Sequence, residues 1–256
     1  MSKNKVIEVT GLKASFGIQQ VLKGITFDVF ESEITVILGG SGAGKSVLLK
    51  HLLGLYPVQE GMVKIFGKNI SEFEEEELNA LYKRLGVFYQ NGGLLNSLSV
   101  AENVALPLQQ HSNLSDELIA HIVQSKLNLV HLSEGYSKYP SQLSGGMLKR
   151  AALARAIAMD PELLFCDEPG AGLDPVSLAR LDALILNLRD QLSTSIIVVT
   201  HEIASIMRIA DRIVFLSEGK VVFHGTLQQA LNTNIKEVNY FFETGKAYSN
   251  KQIINK

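Results

Sequence analysis

Residues 34–55 read ITVILGGSGAGKSVLLKHLLGL. Five unbroken apolar or β-branched residues suit a strand covered on both faces, as in a parallel sheet. GGSGAGKS follows at 39–46, with four glycines in eight residues. Apolar residues then return at helical spacing in VLLKHLLGL (47–55). A buried strand, a glycine-rich loop and a helix form the order of a loop that wraps phosphates. Glycines let the backbone approach closely, and the helix start aims amide N–H groups at an anion. The spacing G-x-x-x-x-G-K-[ST] is met at Gly39, Gly44, Lys45 and Ser46. Nucleotide contacts are therefore expected along Gly39, Gly40, Ser41, Gly42, Ala43, Gly44, Lys45, Ser46 and Val47. Lys45 would reach the outer phosphates as a point charge, and the Ser46 hydroxyl would ligate Mg2+.

The same alternation continues along the chain. VIEVTGL (6–12), ITFDVF (25–30) and MVKIFG (62–67) read as strands. Ser71 with Glu74 suggests a capping box opening a helix within 72–84, whose glutamates at 74–77 suit a helix start. Residues 91–158 turn helical, punctuated at their start by Gly92–Gly93, Ser97 and Ser99. ELLFCDEP (162–169) and SIIVVTH (195–201) are apolar runs ending in polar residues, with a helix expected over 176–192. RIVFLSEGKVVFHG (212–225) reads as a hairpin turning at Glu218–Gly219, and Thr226 as the cap of LQQAL. Residues 246–256 form a polar tail. Buried strands alternating with helices imply an α/β fold with a parallel sheet wrapped by helices.

The bulk numbers remove some function classes. A net charge of −2 over 256 residues gives no basic field for nucleic acid. One cysteine, Cys166, allows neither a disulfide framework nor a CxxC metal pattern, and it reads as core filler. MSKNKVIEVTGLK lacks the apolar stretch of a signal peptide, and no run approaches the length that spans a bilayer. A mean hydropathy of +0.15 fits a chain with an apolar face for a partner.

Several polar residues sit where chemistry needs them. Asp167, at the end of a buried strand, suits the water shell of Mg2+, and the adjacent Glu168 could polarise an attacking water. Taken alone, the pair could equally be solvated loop acids. His201 ends another apolar strand, on the sheet edge where α/β proteins bind ligands. It could bond a γ-phosphate or hold the water. The other five histidines read as structural. Gln90 closes LGVFYQ, where a neutral amide could contact Mg2+ or water. LSGGMLKRAALARAIA (143–158) is a second helix start fit for an anion, at Ser144, Gly145 and Gly146.

The order of these motifs resembles the ATP-binding subunit of ABC transporters: phosphate loop, Gln90, LSGG, apolar strand with DEP, GLDP and a strand-end histidine. The likeness runs over roughly 5–242. It implies a P-loop NTPase parallel sheet core (about 1–90 and 159–242), an antiparallel β subdomain and an inserted helical signature subdomain (about 91–158), all within residues 1–245. It implies ATP and Mg2+ as cofactors and two copies stacked head to tail around two ATP. Ser144, Gly145, Gly146 and Asp174 would then face the partner's nucleotide. Phe16 matches the aromatic that stacks on adenine, the alternative being a buried strand-end Phe. Glu168, His201, Lys45 and Gln90 would be catalytic, and Ser46, Gln90 and Asp167 would face the metal. The resemblance also implies a separate permease dimer and a place on the cytoplasmic face of a bacterial inner membrane.

Met147 after LSGG, the stretch 89–111 and DEPGAGLDP are similar to the Mla-type ATPases of phospholipid transport. Those work with an MCE-domain protein and in some cases a small STAS-domain subunit. Val47 departs from the general pattern, replacing the second hydroxyl often found after the loop serine. The other readings are the ATPase of a different bacterial importer or exporter, a soluble ABC ATPase, or a small-molecule kinase. A kinase would have no use for LSGG, and a DNA-repair or translation ATPase would carry coiled coils or tandem domains.

Overall fold

The computed structural model describes residues 3–244, so the polar tail lies outside the described residues. Contacts divide the chain into two units, one of 3–74 with 199–244 and the other Glu75–Val198. The helical segment expected at 91–158 lies whole within the second.

The first unit holds two layers of strands. β1 (Lys5–Phe16), β2 (Gln19–Phe30), β4 (Glu60–Ile65) and β5 (Lys68–Asn69) form an antiparallel sheet in the order β2-β1-β4-β5. β1 and β2 are longer than their alternating cores suggest. Irregularities in the ladder between Val9 and Leu12 and between Ala14 and Ser15 break the period of two without ending the pairing. β3 (Ile34–Gly39) is buried at every residue and pairs in parallel with β9 (Arg212–Ser217), Ile37 opposite Val214. β9 turns antiparallel into β10 (Lys220–Thr226) through Glu218 and Gly219, at φ 47° and 79°. Two positive φ values make this the tight turn whose twist matches a hairpin. α1 (Lys45–Leu52) follows β3, α7 (Ile203–Ile209) precedes β9, and α8 (Leu227–Leu231) starts behind a Thr226–Gln229 capping box, with a further helical stretch over 236–244 after it.

In the second unit β6 (Leu85–Phe88) pairs in parallel with β7 (Leu163–Asp167), and β8 (Ser195–Val199) is the next neighbour of β7. The helices are α2 (Glu75–Lys83), α3 (Val100–His111), α4 (Asp116–Leu129), α5 (Gly145–Ala156) and α6 (Pro175–Leu192). The helix expected after a Ser71–Glu74 box starts instead at Glu75. The Asn69 carboxamide accepts from Ser71 N and caps a short 3-10 turn over Ile70–Glu72, which takes Ser71 out of reach. The segment from 91 also stays non-helical up to Ser99. There Ser99 and Glu102 form the capping box that opens α3.

One buried amide fixes that stretch. Asn103 is wholly buried. It accepts from Leu95 N at 2.7 Å and donates to the carbonyls of Leu95, Leu98 and Ser99 at 3.0, 3.1 and 2.9 Å. Asn103→Ala strands these groups away from water. It is expected to lower stability by about 2–4 kcal/mol, read as a lower urea midpoint at unchanged slope.

Candidate functional site

The first unit carries the phosphate loop. β3 delivers the chain at Gly39 with φ 152°, where a Cβ would meet the Leu216 carbonyl oxygen at 2.1 Å. The loop returns to α1 through Gly44, at φ 101°, a left-handed N-cap that L side chains avoid. The chain therefore turns from β3 into α1 within a few residues and brings the first amides of α1 to the end of the loop. Lys45 Nζ reaches across the loop and donates to the carbonyls of Gly39 at 2.8 Å and Gly40 at 3.0 Å. Its ammonium is thus held beside the loop and not out in solvent. Ser46 is exposed at the first turn of α1, Val47 is half-buried, and Ala43 is packed inside the loop.

Phe16 ends β1 with its ring about half exposed, at 47%. It stands edge-on to Tyr56, 5.6 Å between centroids, and Tyr56 makes the same contact with His51 of α1. Part of the Phe16 ring is thus left open to solvent. His51 itself is buried and bonds the Val47 carbonyl at 2.8 Å, as a structural histidine does. His201 is exposed between β8 and α7, where Glu202 N donates to Thr200 Oγ1.

The second unit gathers the other motifs. Ser144 is the N-cap of α5 and accepts from Met147 N at 3.3 Å. Asp174 is the N-cap of α6, accepting from Val176 N and Ser177 N at 2.9 and 3.0 Å. The Ser177 hydroxyl and amide, with the Val176 amide, hold its carboxyl below the ordinary aspartate range. The two helix starts are neighbours: a Cβ at Gly145 would stand 3.9 Å from Leu173 and one at Gly146 3.5 Å from Ser177, both ordinary contact distances. Gln90 is exposed in the turn after β6. A cavity of about 240 Å³ is lined by Gln90, Gly145, Lys149 and the 171–173 loop, among others. Asp167 closes β7, and Glu168 follows it at φ 44°. That is a strained conformation for glutamate, and strain of this kind collects where a side chain must be aimed. Cys166, just before, is fully buried; burial drives its thiol far above the ordinary range and leaves it inert core.

Two cations that sequence patterning does not single out belong to this group. Lys149 is buried on α5 and donates to the Gln90 carbonyl. Arg155 donates to the carbonyls of Gly92 and Gly93. On paper both are ordinary basic residues of a helix. Only the path of the loop beside α5 distinguishes them.

The donor set suits a nucleotide. Backbone amides, one fixed ammonium and one hydroxyl match a phosphate chain. Among the described residues, no three His, Cys, Asp or Glu come together to hold a metal by themselves. Among the described residues no helix is long and apolar enough to cross a membrane.

The model of the ABC transporter family matches residues 22–171, and the chain belongs to that family as an ATP-hydrolysing cassette. Among curated relatives it is 37% identical over 243 residues to MlaF of Haemophilus influenzae, the intermembrane phospholipid transport system ATP-binding protein. That match covers 95% of this chain and 92% of MlaF. It is 38% identical to mkl of Mycobacterium leprae, a probable ribonucleotide transport ATP-binding protein, over 94% of this chain and 70% of that one. It spans 66% of the Mycobacterium tuberculosis counterpart. Among solved structures it matches a dimeric ATP-binding cassette in a post-hydrolysis state bound to ADP and Pi. The TM-score is 0.78 at 28% identity, over 86% of this chain and 98% of that chain. The α/β cassette architecture expected from the motif order is thus the observed one.

Proposed function

We propose that the chain is the ATPase of a transporter that moves phospholipid between two membranes. The observation that carries this is the near full-length match, in both directions, to MlaF. Two copies would stack head to tail, each phosphate loop closed by the partner's Ser144–Gly146. The dimeric ADP- and Pi-bound cassette supports a pair of copies around nucleotide.

In each site the amides of 39–44 and Lys45 bind the triphosphate, and Phe16 stacks on adenine. Mg2+, bound with ATP, would be held by Ser46 with Asp167 and Gln90 at its water shell, and supplies charge neutralisation at the β- and γ-phosphates. Glu168 accepts a proton from water as its oxygen attacks the γ-phosphorus. The bond to the β-phosphate oxygen breaks, and ADP and phosphate leave. His201 steadies the γ-phosphate or the water. Asp174 lines the face between the copies. Binding closes the dimer and hydrolysis opens it, which switches a membrane partner between states.

That partner is a permease dimer in the inner membrane, with this chain on its cytoplasmic face. An MCE-domain protein and a small STAS-domain subunit complete the assembly. The mycobacterial name favours a second cargo, ribonucleotide. Purification of the tagged chain from gently solubilised membranes decides between them. Phospholipid and a permease are expected in the complex. A permease that binds ribonucleotide and carries no lipid would overturn the lipid reading.

A further inference from the structure

The turn that carries Gln90 is moulded onto α5 by three of its own carbonyls. Lys149 Nζ donates to the first, at Gln90. The Arg155 guanidinium donates to the other two, at Gly92 over 3.0 Å and at Gly93. Gly92 and Gly93 stand at φ 73° and 62°, a left-handed backbone that other residues avoid, and both lie close against α5. A Cβ at Gly92 meets Ala152 Cβ at 3.2 Å, and one at Gly93 meets Arg155 Nη2 at 2.9 Å. Gly92 N–H closes the turn on the Tyr89 carbonyl at 2.8 Å.

Lys149 is out of place as a purely structural residue. It is 9% exposed, with its ammonium 5.5 Å from the centre of the buried Phe88 ring, and the charge of Glu168 acts on it. An apolar side chain of equal length would be tolerated better by the fold alone. What the ammonium adds is a charged hydrogen bond to one backbone atom of the residue after Tyr89. Arg155 adds two more at the far end of the same turn.

We propose that Lys149 and Arg155 are positioning residues that fasten the Gln90 turn to the signature helix, so that Gln90 and Ser144–Gly146 shift as one body. The proposal rests on the ATPase reading above. In that reading Gln90 serves the chain's own nucleotide and Ser144–Gly146 serves the partner's. A rigid link between them makes closure over one ATP place Gln90 at the other. The two sites of the dimer are thereby coupled through a discrete packed element.

Hydrogen exchange on the full, nucleotide-free chain tests the link directly, with Gly92 N–H as reporter. Lys149→Met keeps the stem and removes the ammonium. Exchange over 90–95 should rise about tenfold or more, because a hydrogen bond to a charged donor is lost from the closed turn, while amides inside α5 stay protected. Arg155→Gln should act in the same place, and Lys149→Arg should restore protection. In steady-state assays Lys149→Met should lower kcat about tenfold at unchanged ATP affinity. Its ATP dependence should flatten toward a Hill coefficient of about 1. Unchanged exchange over 90–95 in both Lys149→Met and Arg155→Gln would overturn the clamp, as would equal loss of protection throughout α5. Absence of ATPase activity in the wild-type chain would remove the functional reading instead, and the exchange data would still decide the clamp.

Discussion

Glu168→Gln is expected to bind ATP as tightly as the wild-type chain and to hydrolyse it about 10²–10⁴-fold more slowly, the range by which a positioned general base accelerates proton transfer. Glutamine keeps the length of the side chain, and the backbone at 168 keeps its left-handed φ of 44° for either residue. Only the capacity to take a proton from water is lost. ATP affinity measured by a fluorescent analogue and single-turnover release of phosphate separate the two quantities. Because hydrolysis opens the dimer in this scheme, the variant should also stay dimeric in ATP, seen as a doubled mass in light scattering. Turnover within about threefold of wild type would remove Glu168 from the role of base.

Much of this site is legible in one dimension because its parts are backbone devices with obligatory residue types. The loop at 39–46 needs glycine where φ is positive or the backbone crowds Leu216, so the letters record the geometry. Ser144 and Thr226 announce helix starts because few side chains can bond the first free amides, whereas the same cap role of Asp174 emerges only in the fold. β3, β7 and β8 read as buried strands because their neighbours cover both faces. The failures have the opposite character. Ser71 with Glu74 satisfies the letter of a capping box, yet Asn69, two residues earlier, takes the amide first. β1 runs past Leu12, where the expected strand ends, to Phe16, with Gly11 at an irregularity of the ladder. Asn103, Lys149 and Arg155 act on carbonyls of residues up to 63 positions away. No local pattern encodes such a partner. Function came through clearly where it is carried by close approach of backbone, and faintly where it is carried by tertiary contact.

Ser144→Arg should leave ATP binding to a single chain intact and reduce hydrolysis by about two orders of magnitude or more, the loss expected when donors to a transferring phosphate are withdrawn. The fold should survive. Ser144 is exposed, and its visible structural duty is one cap bond to Met147 N, worth about 1 kcal/mol. The damage would come from a bulky cation wedged where the partner's γ-phosphate must approach the first amides of α5. That places the effect in a neighbouring molecule, and mixing makes it visible. Lys45→Ala spoils the phosphate loop and spares the signature, whereas Ser144→Arg does the reverse. Each variant alone has no intact site in a head-to-tail dimer. A mixed dimer has one, formed by the loop of the Ser144→Arg chain and the signature of the Lys45→Ala chain. In an equimolar mixture about a quarter of all sites are intact, and ATPase activity should rise well above either variant alone. If loop and signature served the same nucleotide within one chain, mixing would restore nothing, and the head-to-tail arrangement would fall.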